Sequence, residues 1–374
     1  MIIDNLFAAF NEVFALNNLM LMAIGVMAGL IAGSIPGFTI TMAVVLALPF
    51  TFGMSPIEGL STMLGVYVGG LTGGMFASIL IGIPGTPSAI ATTFDGFPMS
   101  RKGRPGLALG IGLWASFFGG LISAVTLVFL APTLAAIGLE FGPWDYFMLV
   151  LFALTIAASL SSGAMIKGLI AGVVGLVIAS VGEDRANGAA RFTFDFDVLA
   201  AGFAFLPVLI GLFAFSQLLN DMSDTETARK PMIAGHQKAV RMEHRASLVQ
   251  VFTHWITVVR SSFIGLFVGL LPAAGSSISN ILAYDQTKKA SKTPEDFGTG
   301  TPPGLIASES SNNATAGGAL IMMMALGIPG DAVTAVMLGA LTIHNIAPSP
   351  TFITSQPVLA YGIMVAYFLA NFMT

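Results

Sequence analysis

The sequence predicts an all-α integral membrane protein made of two inverted-topology repeats, each with one re-entrant helical hairpin and one broken transmembrane helix. Three observations carry that fold class. Of 374 residues 55% are hydrophobic and only 9% charged, with a mean hydropathy of +0.86, whereas a water-soluble domain carries about 25% charged residues. Gly-Ile-Pro-Gly occurs twice, at residues 82–85 and 327–330, each time closing a long apolar run and opening a shorter one. A second proline-containing interruption lies upstream of each, at residues 33–37 and 269–275. Matched breaks in two halves of an apolar chain point to the binding site of a secondary transporter.

Composition also excludes. Alternating segments of about ten residues, the mark of an outer-membrane barrel, are absent. The 43 glycines suit close helix packing in lipid. With no cysteine there is neither disulfide nor thiolate metal site. The first five residues carry no positive charge before the apolar run, so no cleaved signal peptide is expected.

The elements follow in chain order. Ile3, Phe7, Phe10 and Phe14 recur at helical spacing and predict an amphipathic helix lying in the interface plane. Apolar segments at 19–35 and 39–50 form the first hairpin, entering from outside, with its tip at Pro36 and Gly37. Segments 60–83 and 88–94 form the first broken helix. Arg101, Lys102 and Arg104 place the following loop in the cytoplasm, because basic residues in short loops stay inside. Segments 106–130, 144–160, 165–181 and 199–219 are four scaffold spans. They lead to a cytoplasmic loop containing Arg229, Lys230, Lys238, Arg241 and Arg245. Leu248, Phe252, Trp255 and Val259 predict a second interfacial helix. Lys288, Lys289 and Lys292 then lie inside again, so segment 261–282 must enter and leave on one face as a second hairpin, its tip at 272–275. A polar insertion of roughly nine residues around 287–303 precedes the second broken helix, 305–328 and 331–340. The next loop, 342–356, has no basic residue and falls outside. The predicted organisation is 1–105 for the first repeat core, 106–219 for the scaffold helices, 220–245 for the cytoplasmic loop, 246–356 for the second repeat core and 357–374 for the start of a further transmembrane region.

Irregular backbone at membrane depth survives only where protein, water or a ligand satisfies its amides and carbonyls. Half-helix N-termini suit anions, while unwound carbonyls and C-terminal ends suit a small cation. The candidate substrate residues are Gly37, Thr39, Gly85, Thr86, Ser88, Ser276, Ser277, Ser310, Asn312, Asn313 and Gly330. Ser34, Pro36, Ile83, Asn280, Ile328, Asp331 and Thr334 are the candidate cation residues. Thr41, Pro87, Gly275 and Ser279 stand beside them. The competing readings are proline kinks and ordinary helix caps, a cytoplasmic helix start for residues 308–315, and a plain first-turn acid for Asp331. Sodium is the expected coupling ion, and no organic cofactor or transition metal is expected. His236, His244, His254 and His344 lack ligand spacing, residues 106–112 lack the strand of a nucleotide loop, Met322 to Met324 read as packing, and no hydrolytic triad is present.

Residues 33–37, the run 82–88 leading to Asp95-Gly96-Phe97-Pro98, Lys102-Gly103-Arg104-Pro105-Gly106, and residues 309–313 followed by 327–330 resemble the large membrane subunit, TctA, of bacterial tripartite tricarboxylate transporters. The resemblance runs from about residue 15 to the last residue. It implies cation-driven carboxylate uptake across the inner membrane, with a small four-helix membrane subunit and a periplasmic binding protein as partners. It also implies an elevator-type carrier, with further spans beyond Thr374. The second tip departs from the family pattern: it reads Pro272-Ala273-Ala274-Gly275 where Pro-Gly is expected, which leaves its geometry open. The rival from another class is an anion channel lined by half-helices; a membrane enzyme is more distant, since no activated nucleophile is present.

Overall fold

The computed structural model describes residues 2–159, 164–184, 188–204, 207–208, 210–216, 219 and 240–374. Arg229, Lys230 and Lys238, on which the topology of the long loop rests, lie outside the described residues, as do parts of segment 199–219.

The first repeat begins with α1 (Ile2–Val13), whose Ala9 and Val13 are buried while Phe7, Phe10 and Phe14 face outward. The hairpin follows as α2 (Leu16–Ser34) and α3 (Ile40–Ala47), α3 running into a 3-10 turn (Leu48–Gly53). Then comes α4 (Pro56–Leu80), started by a Ser55–Glu58 capping box, and after the break α5 (Ile90–Arg101). Next are α6 (Pro105–Gly138), α7 (Pro143–Ser159) and α8 (Met165–Ala179), and a two-residue hairpin pairing β1 (Gly182–Glu183) with β2 (Ala190–Arg191). The second repeat holds α9 (His244–Thr253), α10 (Trp255–Leu270), α11 (Gly275–Lys289), α12 (Pro302–Leu326) and α13 (Ala332–Ile343). A single turn, α14 (Phe352–Ser355), and α15 (Pro357–Met373) close the described chain.

The repeat is visible in its contacts. In the first half α2 lies so close to α4 that a Cβ on Gly29 or Gly33 would sit 2.3 Å from the carbonyl oxygen of Val66 or Gly70. In the second half a Cβ on Gly265 or Gly269 would sit 2.2 Å from that of Ser311 or Thr315, where α10 meets α12. Only glycine permits this approach, and main-chain contact of this kind substitutes for the hydrophobic effect between helices in lipid. Gly29 and Val66 are 37 residues apart and Gly265 and Ser311 are 46 apart; the nine-residue difference is the polar insertion. The breaks match as well, with Gly82 at φ +74° and Gly327 at φ +70°. At the tips, Gly37 has φ +89° and Ala273, its counterpart, φ +62°. The second hairpin thus keeps the left-handed turn without glycine, at a strain of about 1–2 kcal/mol.

Several sequence expectations are corrected. The second interfacial helix is not continuous through Trp255 and Val259: the chain bends by 78° between α9 and α10. The imidazole Nδ1 of His254 lies 2.9 Å from the Gln250 carbonyl at this corner, and Phe252 stacks on Trp255 across it. α6 continues to Gly138, well beyond the expected 130, because its apolar run does not stop there. Within the expected span at 199–219 the described residues include a π-helical turn (Ile210–Phe215), and other parts of the segment lie outside the described residues. α11 carries on through Lys288 and Lys289, so the loop begins later than expected.

Among the described residues α2, α4 and α6 are long and apolar enough to cross a membrane. α12 matches α4 in length, but its polar run from Ser308 to Asn313 breaks the apolar pattern. From Gly304 to Leu326 every residue of α12 is buried, including all six of that run. α12 is therefore the axis of the fold, packed by α6 on one side and α10 and α11 on the other, and met by α4 and α5 of the first repeat. α7 and α8 pack on each other and present Trp144, Phe147, Met148, Ile166, Ile170 and Val173 outward, as lipid-facing helices do.

Candidate functional site

Four helices of the repeats start at one cavity. Thr39 caps α3, its hydroxyl accepting from the Met42 amide at 3.2 Å. Thr86 precedes the Pro87–Ala89 turn that leads into α5, α11 starts at Gly275, and Asp331 caps α13. Between them lies a space of about 330 Å³ lined by Thr39 to Thr41, Tyr67, Thr86 to Ser88, Ala273 to Ser277 and Asp331 to Val333. Each helix start leaves amides without intrahelical partners and carries a partial positive charge. Asp331 is the one charged residue of the lining. An anion here meets helix dipoles and hydroxyls, not a guanidinium or ammonium group.

Asp331 is already much engaged. Its Oδ1 accepts from the Thr334 amide at 2.8 Å and from the Thr334 hydroxyl at 2.7 Å, and its Oδ2 accepts from the Tyr67 hydroxyl. A carboxylate has about four lone-pair directions, so roughly one remains open, on Oδ2. The repeat equivalent of Asp331 is Thr86, so the cavity has an acidic side and a hydroxyl side. On the hydroxyl side Thr86 and Ser88 are bonded at 2.8 Å, and Asn280 donates to the Ser88 carbonyl.

Of the sequence candidates, Thr39, Thr86, Ser88, Ser276, Ser277 and Asp331 line the cavity. Asn280 and Thr334 hold lining residues from behind. Gly85 and Gly330 pack directly against the last turns of the two hairpins, at the carbonyls of Gly33 and Gly269. Gly37 and Pro36 lie at the first tip outside the lining, Ser34 donates to the Leu30 carbonyl at 2.6 Å, and Ile83 is exposed. Ile328 borders a different space, of about 470 Å³, between α6, α7 and residues 348–351. Ser310, Asn312 and Asn313 are not brought to the cavity. Asn312 donates to the Leu71 carbonyl at 3.2 Å and Asn313 to the Thr72 hydroxyl at 3.1 Å, so they join α12 to α4.

Sequence reasoning missed three groups. Tyr67, in the middle of an apolar run, shows its role only through Asp331. Asp95 is fully buried; its Oδ1 accepts from the amides of Gly298, Gly300 and Thr301 at 2.7–3.0 Å and its Oδ2 from Tyr284 at 2.9 Å. A residue of the first repeat thereby folds the insertion of the second and caps α12 from outside. Glu309 is also fully buried, with the hydroxyls of Thr92 and Ser116 on its two oxygens. An ionisable group inside an apolar helix was the signal available for it.

A family model described as the tripartite tricarboxylate transporter TctA family matches residues 19–374. The chain belongs to this family. A TctA chain is the large subunit of a tripartite tricarboxylate transporter, and the apolar helices accord with a multi-pass membrane protein. The chain is 33% identical to the uncharacterized 52.8 kDa protein of the TAR-I ttuC' 3' region of Agrobacterium vitis, over 99% of this chain and 72% of that one. It is 38% identical to the uncharacterized protein of the TAR-II ttuC' 3' region of the same organism, over 29% of this chain and 44% of that one. No solved structure matches it.

Proposed function

We propose that the protein is the large membrane subunit of a binding-protein-dependent carrier that takes up a di- or tricarboxylate, such as citrate, across the bacterial inner membrane with sodium. The observation that carries this is one cavity lined by the start of α3 just past the first hairpin tip, by the second hairpin tip and by the chain directly after both breaks. Its volume lies at the small end of ligand sites, and its lining of hydroxyls and helix N-termini suits carboxylate oxygens. The two hairpins are re-entrant and the repeats inverted in the membrane, so the cavity opens alternately to each side as the repeats move against α6 to α8, in the manner of an elevator. A continuous pore is less favoured, because the second hairpin tip, Ala273 to Gly275, forms part of the cavity wall.

The donor set fits sodium. Asp331 Oδ2 keeps an open acceptor direction, and the hydroxyls of Thr39, Thr86, Ser276 and Ser277 are hard oxygen ligands at the same cavity. Without a basic side chain in the lining, bound cations would compensate the substrate charge. A small membrane subunit and a periplasmic binding protein complete the assembly.

The test is uptake by the full-length subunit reconstituted with its partners. Apparent citrate affinity is expected to rise with external sodium, and Asp331→Asn to weaken that dependence more than the maximal rate. Uptake independent of sodium would remove the sodium assignment; the absence of saturable carboxylate uptake across a panel of such acids would remove the carrier reading.

A further inference from the structure

Glu309 lies outside the cavity and carries no role in the function just proposed. Its carboxyl is wholly buried where α12, α5 and α6 meet. The described ion pairs are Arg191 with Asp184 and Lys289 with Asp285, so no cation is paired with it among the described residues. Its neighbours are neutral: the hydroxyls of Thr92 and Ser116 and, one turn along α12, the Asn312 amide. A buried carboxylate with neutral donors alone is costly and tends to neutralise instead.

The neighbouring hydroxyls accommodate the neutral acid. Thr92 Oγ1 touches both Glu309 Oε1 and, at 3.4 Å, Ser308 Oγ, but owns one proton. Ser308 spends its own proton on the Leu305 carbonyl at 3.0 Å. With Glu309 ionised, Thr92 donates to Oε1 and its contact with Ser308 is filled only if Ser308 turns its proton away from the Leu305 carbonyl. A proton on Oε1 completes the chain: Glu309 donates to Thr92, Thr92 to Ser308 and Ser308 to the Leu305 carbonyl. Ser116 meanwhile donates to Oε2 at 2.8 Å. Farther along α12, Asn312 Oδ1 and Asn313 Oδ1 are buried without a donor, and the Ser310 and Ser311 hydroxyls are buried without any side-chain partner.

We propose that Glu309 is a proton-binding site of this protein, loaded in the present conformation and unloaded when α5 or α6 draws away from α12. Its two hydroxyl partners stand on different helices, so parting either one bares the carboxyl to water. The proton passes between solvent and Oε1, with no other bond made or broken. Few other titratable groups face this junction. α6 has none; α9, which packs on α6 and α12, contributes His244, against Trp114 of α6, and Arg245; α5 contributes Asp95, held by three amides and Tyr284, and Arg101 at its end. α4 contributes Glu58 at its start and Tyr67, bonded to Asp331; α10 contributes Arg260, which donates to Thr287; α11 contributes Tyr284, Asp285, Lys288 and Lys289; and α15 contributes Tyr361 and Tyr367, the latter donating to the Asn313 carbonyl. None of these is bonded to the Glu309 carboxyl.

Infrared spectroscopy of the full-length protein in lipid, with glutamate carbon-13 labelled, tests this without any transport assay. A carboxylic acid C=O stretch that shifts with the label is expected and should be lost in Glu309→Gln. That variant should reach wild-type abundance, since its amide can donate to Thr92 and accept from Ser116 as the neutral acid does. Thr92→Val should keep the band but shift it. Absence of the band, its survival in Glu309→Gln, or failure of Glu309→Gln to accumulate overturns the proposal. Uptake by Glu309→Gln should lose the wild-type dependence on pH; an unchanged profile overturns the link to transport. Failure of carboxylate uptake with the band present would instead refute the carrier reading.

Discussion

Gly330→Ala tests whether the second break is supported as described. A Cβ at Gly330 would lie 2.4 Å from the Gly269 carbonyl oxygen and 2.5 and 2.8 Å from Cα and Cβ of Ala319. Carbon–oxygen contacts settle near 3.3–3.6 Å, so the segment must part from α10 by about 1 Å. All the crowding atoms belong to backbone or to Cβ, so no side-chain rotation relieves it. Overpacking of this kind costs about 1–3 kcal/mol. That is roughly a five- to 150-fold loss in any equilibrium that needs the native spacing. The displaced segment leads straight into Asp331 to Val333, so binding of the proposed carboxylate is the equilibrium most exposed. Titration calorimetry and thermal unfolding of the purified full-length protein should show weaker binding in that range and a lower midpoint. Gly85→Ala should behave alike, its Cβ falling 2.2 Å from the Gly33 carbonyl oxygen. Gly53→Ala, with nothing within 4 Å, is the neutral control. If Gly330→Ala binds and melts like Gly53→Ala, the close approach between break and hairpin is not a feature of the folded protein.

Asp95→Ala should lower membrane abundance, since it removes the common acceptor of the Gly298, Gly300 and Thr301 amides and of the buried Tyr284 hydroxyl, whereas Asp95→Asn should retain part of it; equal abundance of Asp95→Ala and wild type in a quantitative blot would refute the cap. Thr351→Cys should react with an impermeant thiol reagent from the periplasm and Ser291→Cys only after permeabilisation; same-side labelling would sink the inverted arrangement.

Much of the fold was legible because it depends on local chemistry. Apolar run lengths, the two Gly-Ile-Pro-Gly strings and the hairpin prolines mark where helices start and stop, and six of the candidate residues at those interruptions line one cavity. Spacing also exposed the repeat, including its nine-residue insertion. The bend at His254 was not legible, since α9 and α10 continue one helical pattern and the turn arises from a single ring contact and an aromatic stack.

Side-chain roles divided along another line. Ser310, Asn312 and Asn313 are ligand candidates because they are polar in an apolar helix, but polarity does not say which neighbours they meet. Only the packing of α12 against α4 decided that Asn312 and Asn313 bond Leu71 and Thr72. Tyr67, Asp95 and Glu309 find their partners 264, 189–206 and 193–217 residues away in the chain. The sequence by itself determined where backbone polar groups would be freed, because proline and glycine act on the residues beside them. Which side chains meet those groups, and which carboxyl is left among neutral donors, was decided by tertiary structure, because hydrogen bonds at those separations exist only once the two repeats have packed around one helix.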